Sequence, residues 1–192
     1  MPPLCLAQDL HKITISVRDY ANVSTEILGK AEEEARLVFQ EAGIQTIWLN
    51  CPQKSERIGP VGCHLGNTTY LVLNVLPKVL PNDGRIDGFG MALLNEKGTG
   101  NYAYIFYDRV QQLAESRKLG CALLAAVLVH EIGHLLLGSN AHSMSGIMCP
   151  YWKEQQLKRI SQGGMFFAPG QSRIMRNRIG FAPTGRDLPP RN

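Results

Sequence analysis

The chain has 192 residues, of which 44% are hydrophobic and 19% charged, and its formal net charge is +4. This composition is typical of one soluble globular domain that is large enough to bury a core. The charge is modest and no nucleic-acid-binding motif accompanies it, so nucleic acid is excluded as an expected partner. We expect a single domain over residues 1–183 and a frayed tail over residues 184–192, where proline, glycine and charged residues concentrate.

The N-terminus, the cysteines and the longest apolar stretch bear on the cellular location of the protein, which they leave open. The N-terminus, MPPLCLAQDL, has no basic region and too short an apolar stretch for a signal peptide. Cys51 and Cys63 bracket a loop rich in proline and glycine, so we predict a disulfide and an oxidising compartment, with two reduced thiols as the alternative. The protein is then secreted or periplasmic, with a signal peptide absent from this chain, or otherwise cytoplasmic. The apolar stretch over residues 119–138 is long enough to span a membrane, but it contains two histidines and a glutamate, and the sequence has no second apolar stretch of that length. No membrane span is therefore predicted.

The first part of the chain predicts a strand–helix–strand unit. Apolar and polar residues alternate over residues 13–17 with the period of a half-buried strand. Ser24 is a suitable N-cap for a helix that Gly43 ends. A second strand over residues 44–49 follows, so a crossover between two parallel strands is expected. The apolar face of the helix is expected to consist of Ile27, Ala31, Ala35, Val38 and Ala42.

Three more strands and a short helix precede the long apolar stretch. Residues 69–75 are apolar on both sides, which predicts a strand in the centre of the sheet. Residues 88–94 and 101–107 predict two strands joined by a short polar loop. A short helix capped by Asp108 then extends to about residue 116, and Lys118-Leu119-Gly120 breaks it before the next helix.

The stretch that carries chemistry is HEIGHLLLGSNAHSMSGIMCPY, residues 130–151. On a helix, His130 and His134 lie one above the other about 5–6 Å apart, so both rings can bind one metal ion. Glu131 lies beside the pair, where it can take a proton from a metal-bound water. The apolar residues on both sides place this helix in the core. Two buried histidines without partners are costly, which favours a zinc-ligand role over two hydrogen-bonded core histidines.

This stretch resembles the metzincin metalloproteases, in particular the matrixins, which combine a zinc helix, a helix-ending glycine, a third histidine and a Met-turn. Gly138 matches the glycine and can take the left-handed conformation. His142 matches the third zinc ligand, and Met148 the Met-turn methionine, which supports the site without binding the metal. The resemblance covers residues 88–151. It departs from the HExxHxxGxxH pattern by one extra residue on each side of the glycine, so a wider turn is expected.

Glu154 is a rival for the third ligand. It follows His134 by 20 residues, a spacing similar to that of thermolysin-like enzymes, whose zinc ligands are two histidines and a glutamate. Those enzymes carry no HSxxxIM segment, and the polar neighbours of Glu154 are typical of a solvated helix face, so His142 is preferred. Cys149 is near enough to approach the metal, but we interpret it as a bystander.

The resemblance implies an α/β (α+β) fold: a metzincin-like single catalytic domain with a twisted, mostly parallel mixed sheet, packed helices and the zinc helix below an edge strand. Residues 88–94 resemble the matrixin edge strand, which pairs with bound peptide; an ordinary hairpin is the alternative. Helices over residues 152–160 and 171–179 complete the domain. The residues expected to line the substrate cleft are Gly88, Phe89, Gly90, Met91, Pro150 and Tyr151.

The function implied by the resemblance is that of a zinc metallopeptidase of the metalloendopeptidase type. One zinc ion would be held by His130, His134 and His142, with Glu131 as the general base in peptide-bond hydrolysis. The implied substrate is a peptide or protein, and a monomer is expected. The alternatives are a zinc-binding protein of this fold without peptidase activity and a non-proteolytic zinc hydrolase. Glu131 argues against the first alternative, because metal binding alone needs no base.

Overall fold

The computed structural model describes residues 11–51, 69–79 and 88–180. Within these ranges five strands form one sheet, and five helices accompany it. The strands are β1 (His11–Asp19), β2 (Ile44–Asn50), β3 (Thr69–Leu76), β4 (Gly90–Leu93) and β5 (Tyr102–Phe106). The helices are α1 (Thr25–Glu41), α2 (Tyr107–Arg117), α3 (Cys121–Leu137), α4 (Glu154–Ser161) and α5 (Pro169–Gly180).

The sheet is mixed and mostly parallel, as expected, with the strand order β2-β1-β3-β5-β4. β1 pairs in parallel with β2 and β3, and β3 pairs in parallel with β5. β4 is antiparallel to β5 and lies at one edge. The crossover through α1, the central position of β3 and the edge position of β4 are thereby confirmed.

β1 differs from the half-buried strand that its alternating sequence predicts. All five residues from Ile13 to Val17 are buried, including the polar Thr14 and Ser16. The reason is that β1 has a parallel neighbour on each side and both of its faces are covered, as is usual for inner strands of parallel sheets. The Ser16 hydroxyl forms a hydrogen bond with the sulfur of Cys51 at 3.0 Å.

α1 begins and ends where the sequence predicts, but its buried face is rotated. Ser24 is the N-cap, and its Oγ accepts from the Ile27 amide at 3.2 Å. Ile27 itself is 39% exposed, so its assignment to the core face was wrong. Phe39 is fully buried 5.6 Å from the ring of Phe167, and this contact sets the rotation of the helix. The buried residues of α1 are Leu28, Ala31, Glu32, Ala35 and Phe39.

α2 begins earlier than its predicted cap. Phe106 is in the N-cap position, so Asp108 lies in the first turn of the helix. A carboxylate there interacts favourably with the positive end of the helix dipole. Asp108 therefore does not cap the helix as predicted. Lys118 has a φ of 55° and ends α2, which confirms the break before α3. The two later helices also form, as α4 and α5.

α3 carries the HExxH motif and forms the centre of the core. Residues 123–136 are all buried. Gly138 ends the helix with a φ of 65°, as its sequence position predicts, and its amide donates to the His134 carbonyl at 2.9 Å. None of the described helices is long and apolar enough to cross a membrane.

Two sequence predictions fall on residues outside the described ranges. Cys51 is disulfide-bonded. Its expected partner, Cys63, lies outside those ranges, so the pairing stays a prediction. The boundary at residue 183 and the tail over residues 184–192 lie outside them as well.

Candidate metal centre and cleft

Three histidines converge at the end of α3. His130 and His134 come from consecutive turns of the helix, and His142 comes from the segment that follows it; one ring nitrogen of each lies within 4.8 Å of the others. His130 and His134 are 8% and 5% exposed, whereas His142 is exposed to solvent. The Nε2 atoms of His130 and His134 are 3.1 Å apart. The group could hold one metal ion.

Backbone carbonyls orient both helix histidines. Nδ1 of His130 lies 2.8 Å from the Ile147 carbonyl oxygen, and Nδ1 of His134 lies 2.8 Å from the Ser139 carbonyl oxygen. A carbonyl only accepts, so each Nδ1 carries the hydrogen and donates it. In the neutral rings both Nε2 atoms therefore carry no hydrogen, and each has a lone pair that can bind a metal ion.

Burial keeps these rings neutral. It lowers the pKa of His130 from 6.5 to about 4, with the hydrogen bond to Ile147 acting in the opposite direction. Burial is also the main cause that lowers the pKa values of His134 and His142. Because a metal ion binds the neutral form of imidazole, these shifts favour a ligand set near neutral pH.

Glu131 is buried beside the histidines, against the edge strand. It is 6% exposed, and burial raises the pKa of its carboxyl from 4.5 to about 8. A Cβ atom on Gly90 of β4 would lie 2.7 Å from Cγ of Glu131 and 2.6 Å from the carbonyl oxygen of Tyr104. Only a glycine at position 90 lets β4 pass this close to the carboxyl group.

A cleft of about 600 Å³ opens between β4, α3 and the segment after Met148. Each of the six residues that the sequence assigned to a substrate cleft lines it, together with Glu131 and the three histidines. The sequence interpretation missed part of the wall. The further lining residues are Ala92, Leu113, Val127, Asn140, Cys149 and Trp152.

Trp152 is the largest of the missed wall residues. Its ring stacks on Phe89 at 6.2 Å and 13°, and it meets the His130 ring edge-on at 5.7 Å. The sequence predicts a helix that begins at Trp152, but α4 begins later, with Lys153 as its N-cap. Trp152 thus lies between Phe89, which precedes β4, and His130 of the three-histidine group.

Met148 is fully buried, one residue after Ile147, whose carbonyl oxygen accepts from Nδ1 of His130. A Cβ atom on Gly133 would lie 2.7 Å from its sulfur, so the glycine inside the HExxH motif lets Met148 approach the helix. The carbonyl of Met148 accepts from the Ser143 amide at 2.9 Å, which closes the turn after His142. Gly146, with a φ of 79°, allows this turn to bend.

Glu154, the rival ligand, lies elsewhere. It is exposed at the start of α4 and forms an ion pair with Arg117 at 2.9 Å. The structure therefore brings His142, and not Glu154, to the helix histidines. Cys149 lines the cleft but is not part of the three-histidine group, and its thiol donates to the Tyr151 carbonyl at 3.4 Å.

Comparison with protein-family models and with curated protein sequences returns no match for this chain. Solved structures do match. A zinc-dependent peptidase from Methanocorpusculum labreanum (strain Z) superposes with a TM-score of 0.52 at 16% identity, covering 86% of this chain and 100% of that one. Archaemetzincin from Methanopyrus kandleri superposes with a TM-score of 0.55 at 13% identity, covering 91% and 99%. At these identities the likeness concerns architecture, and the chain has the fold of these two peptidase structures.

Proposed function

We propose that this chain is a zinc-dependent metallopeptidase whose single zinc ion is held by His130, His134 and His142. The observation that carries the proposal is the convergence of three ring nitrogens, two of them buried, at one point beside a buried carboxyl group. Three protein ligands with an open fourth position are typical of catalytic rather than structural zinc. The names of the two similar structures support the same activity.

The histidine pair fits a cation. With hydrogen on both Nδ1 atoms, the Nε2 atoms of His130 and His134 cannot donate to one another, and two lone pairs 3.1 Å apart repel. A cation between them removes this repulsion. Two nitrogens each about 2.0–2.1 Å from one tetrahedral zinc ion lie about 3.3 Å apart, close to the observed separation.

Glu131 is proposed as the general base. Bound zinc polarises a carbonyl and makes water acidic enough to act as a nucleophile near neutral pH. Glu131 would accept the proton of the attacking water and then donate it to the leaving amine. Burial raises the pKa of Glu131 in the metal-free site. A nearby cation lowers the pKa of a carboxyl group, so bound zinc would favour the ionised form of Glu131, which is the form that acts as a base.

The cleft supports a peptide substrate. β4 is the outer strand of the sheet, and an extended peptide can add to such an edge through main-chain hydrogen bonds. The stacked rings of Phe89 and Trp152 form an apolar wall next to His130, suited to an apolar substrate side chain. We propose action as a monomer, because the histidines, Glu131 and the cleft all come from one chain.

We extend the proposal to a metzincin-type site, with Gly138, His142 and Met148 in the roles that the family resemblance gives them. Archaemetzincins are a metzincin-like group distinct from the matrixins. The likeness to an archaemetzincin structure thus favours a metzincin-like enzyme outside the matrixins.

The test is digestion of a mixed peptide library by zinc-loaded protein, with products identified by mass spectrometry. We expect cleavage at defined peptide bonds, its loss with a chelator and its return with added zinc. Hydrolysis of small amides alone would instead indicate a non-proteolytic zinc hydrolase. Zinc binding without any hydrolysis would indicate a binding protein of this fold.

A further inference from the structure

Arg178, on the last described helix, contacts the end of α3. Its Nη2 donates to the Gly98 carbonyl, in the turn between β4 and β5, at 2.7 Å. Its guanidinium lies over Gly138, where a Cβ atom would be 2.6 Å from Nη1 and closer still to Cζ and Nη2. Gly98 in turn faces the Gly138 carbonyl closely enough that a Cβ atom there would overlap it. One side chain therefore joins α5, the β4–β5 turn and the end of α3.

The helix that presents Arg178 is itself firmly placed. Nη1 of Arg176 donates to the Ala42 carbonyl at the end of α1, at 2.6 Å. Met175 is fully buried in the core. The guanidinium of Arg178 consequently reaches Gly138 from a fixed support.

The segment beyond Gly138 carries His142, and its backbone is held at both ends. The Ser139 carbonyl accepts from Nδ1 of His134, and the Ser143 amide donates to the Met148 carbonyl. Residues 139–142 are exposed, and no hydrogen bond to the ring of His142 occurs among the described residues. The Ala141 amide donates to Oγ of Ser139 at 3.0 Å, which is a local contact. The segment has two more residues than the matrixin pattern, and each added residue raises the entropy cost of holding His142 in place.

Charge strengthens the contact. The last carbonyls of a helix form the negative end of its dipole, where a cation is favourable. Arg178 places its positive charge at the end of α3, directly over the glycine at which the chain leaves the helix. The next carbonyl, that of Ser139, accepts from Nδ1 of His134, so the same short segment orients one histidine and leads to another.

We propose that Arg178 is a positioning residue of the metal centre, fixing Gly138 and thereby the start of the segment that presents His142. This inference rests on the proposed function, since it concerns zinc held by the three histidines. Arg178 would touch neither substrate nor metal. Its contribution would be to the affinity and geometry of the site.

The test measures zinc affinity by competition with a chromophoric chelator, for wild type, Arg178→Ala, Arg178→Lys and the control Arg173→Ala. Arg173 is exposed on the same helix and its loss removes the same charge. We expect about 10-fold weaker zinc binding in Arg178→Ala, the lower end of the range for residues that support metal ligands. Arg178→Lys should recover part of the loss, and Arg173→Ala should match wild type. The visible spectrum of the cobalt(II)-loaded protein should change only in the Arg178 variants, because the arrangement of nitrogen ligands changes.

Two outcomes would overturn the inference. One is an Arg178→Ala protein with the zinc affinity and cobalt spectrum of Arg173→Ala. The other concerns Gly138→Ala, measured by melting of the metal-free protein in the wild-type and Arg178→Ala backgrounds. The new methyl group collides with the guanidinium only in the wild-type background, so Gly138→Ala should destabilise the Arg178→Ala protein less than it destabilises wild type. Equal destabilisation in both backgrounds would contradict the contact. A wild type that binds no zinc at all would instead refute the proposed function.

Discussion

Gly90 and Glu131 lie in direct contact: a Cβ atom on the glycine would be 2.7 Å from Cγ and 2.9 Å from Cδ of the glutamate. The first residue of the edge strand thus packs on the carboxyl group next to the histidines that we propose as zinc ligands. This contact excludes water from one side of Glu131 and is part of the burial that raises its pKa. Strand and proposed base are positioned together.

Gly90→Ala is expected to displace either β4 or the carboxyl group of Glu131. Overpacking of this kind costs about 1–3 kcal/mol, and we expect peptide hydrolysis to fall at least about 10-fold with zinc still bound. Gly29→Ala in α1 is the control, because a Cβ atom there would meet nothing within 4 Å and the residue does not line the cleft. Steady-state kinetics of peptide cleavage and the zinc content of each variant test this prediction. Equal activity of the two variants would show that the contact between position 90 and Glu131 does not matter for catalysis.

His142→Ala and Glu154→Ala separate the two candidate third ligands. Loss of His142 should weaken zinc binding strongly, because two histidines alone do not define the coordination of the metal. Loss of Glu154 should leave zinc binding unchanged, since it removes only an exposed ion pair with Arg117, worth at most about 1 kcal/mol. Zinc affinities measured by chelator competition should show this order. The reverse order would place the protein with the His-His-Glu zinc enzymes.

The pH dependence of metal-free stability should reveal the buried carboxyl of Glu131. Its pKa of about 8 exceeds the ordinary 4.5, so the folded protein holds a proton there that the unfolded chain releases. That contribution is complete below pH 4.5 and is lost as the pH rises through 8. Between pH 6.5 and 8, above the ordinary histidine pKa, wild type should lose up to about 2 kcal/mol relative to Glu131→Gln. Urea unfolding in the presence of a chelator measures this; parallel stabilities would contradict the raised pKa.

The candidate metal centre could be predicted largely from the sequence because its signals are local. His130 and His134 share a helix face by their spacing, and Gly138 ends that helix with a left-handed residue. His142 and Met148 required a family resemblance, since a spacing wider than the pattern does not determine how a turn folds. The parallel pairing of β1 and β2 followed from the helical crossover between them, whereas the mostly parallel sheet as a whole was implied by the family resemblance.

The features that the sequence did not predict depend on contacts between distant segments. The rotation of α1 is set by Phe39 meeting Phe167, more than a hundred residues later. Trp152 became part of the cleft wall because it stacks on Phe89, which no local pattern indicates. Arg178 lies on a helix that the sequence predicts, but its position over Gly138 is visible only in the folded chain.

The most direct test of the central claim is a side-by-side measurement of zinc content and peptide cleavage in wild type and Glu131→Gln. Glutamine keeps the size of the side chain against Gly90 but cannot accept the proton of the attacking water. The account predicts one zinc per chain in both proteins, with cleavage by Glu131→Gln reduced about 10²–10⁴-fold. Wild-type cleavage by the variant, or the absence of zinc from wild type after reconstitution, would contradict the claim that this chain is a zinc peptidase with Glu131 as its base.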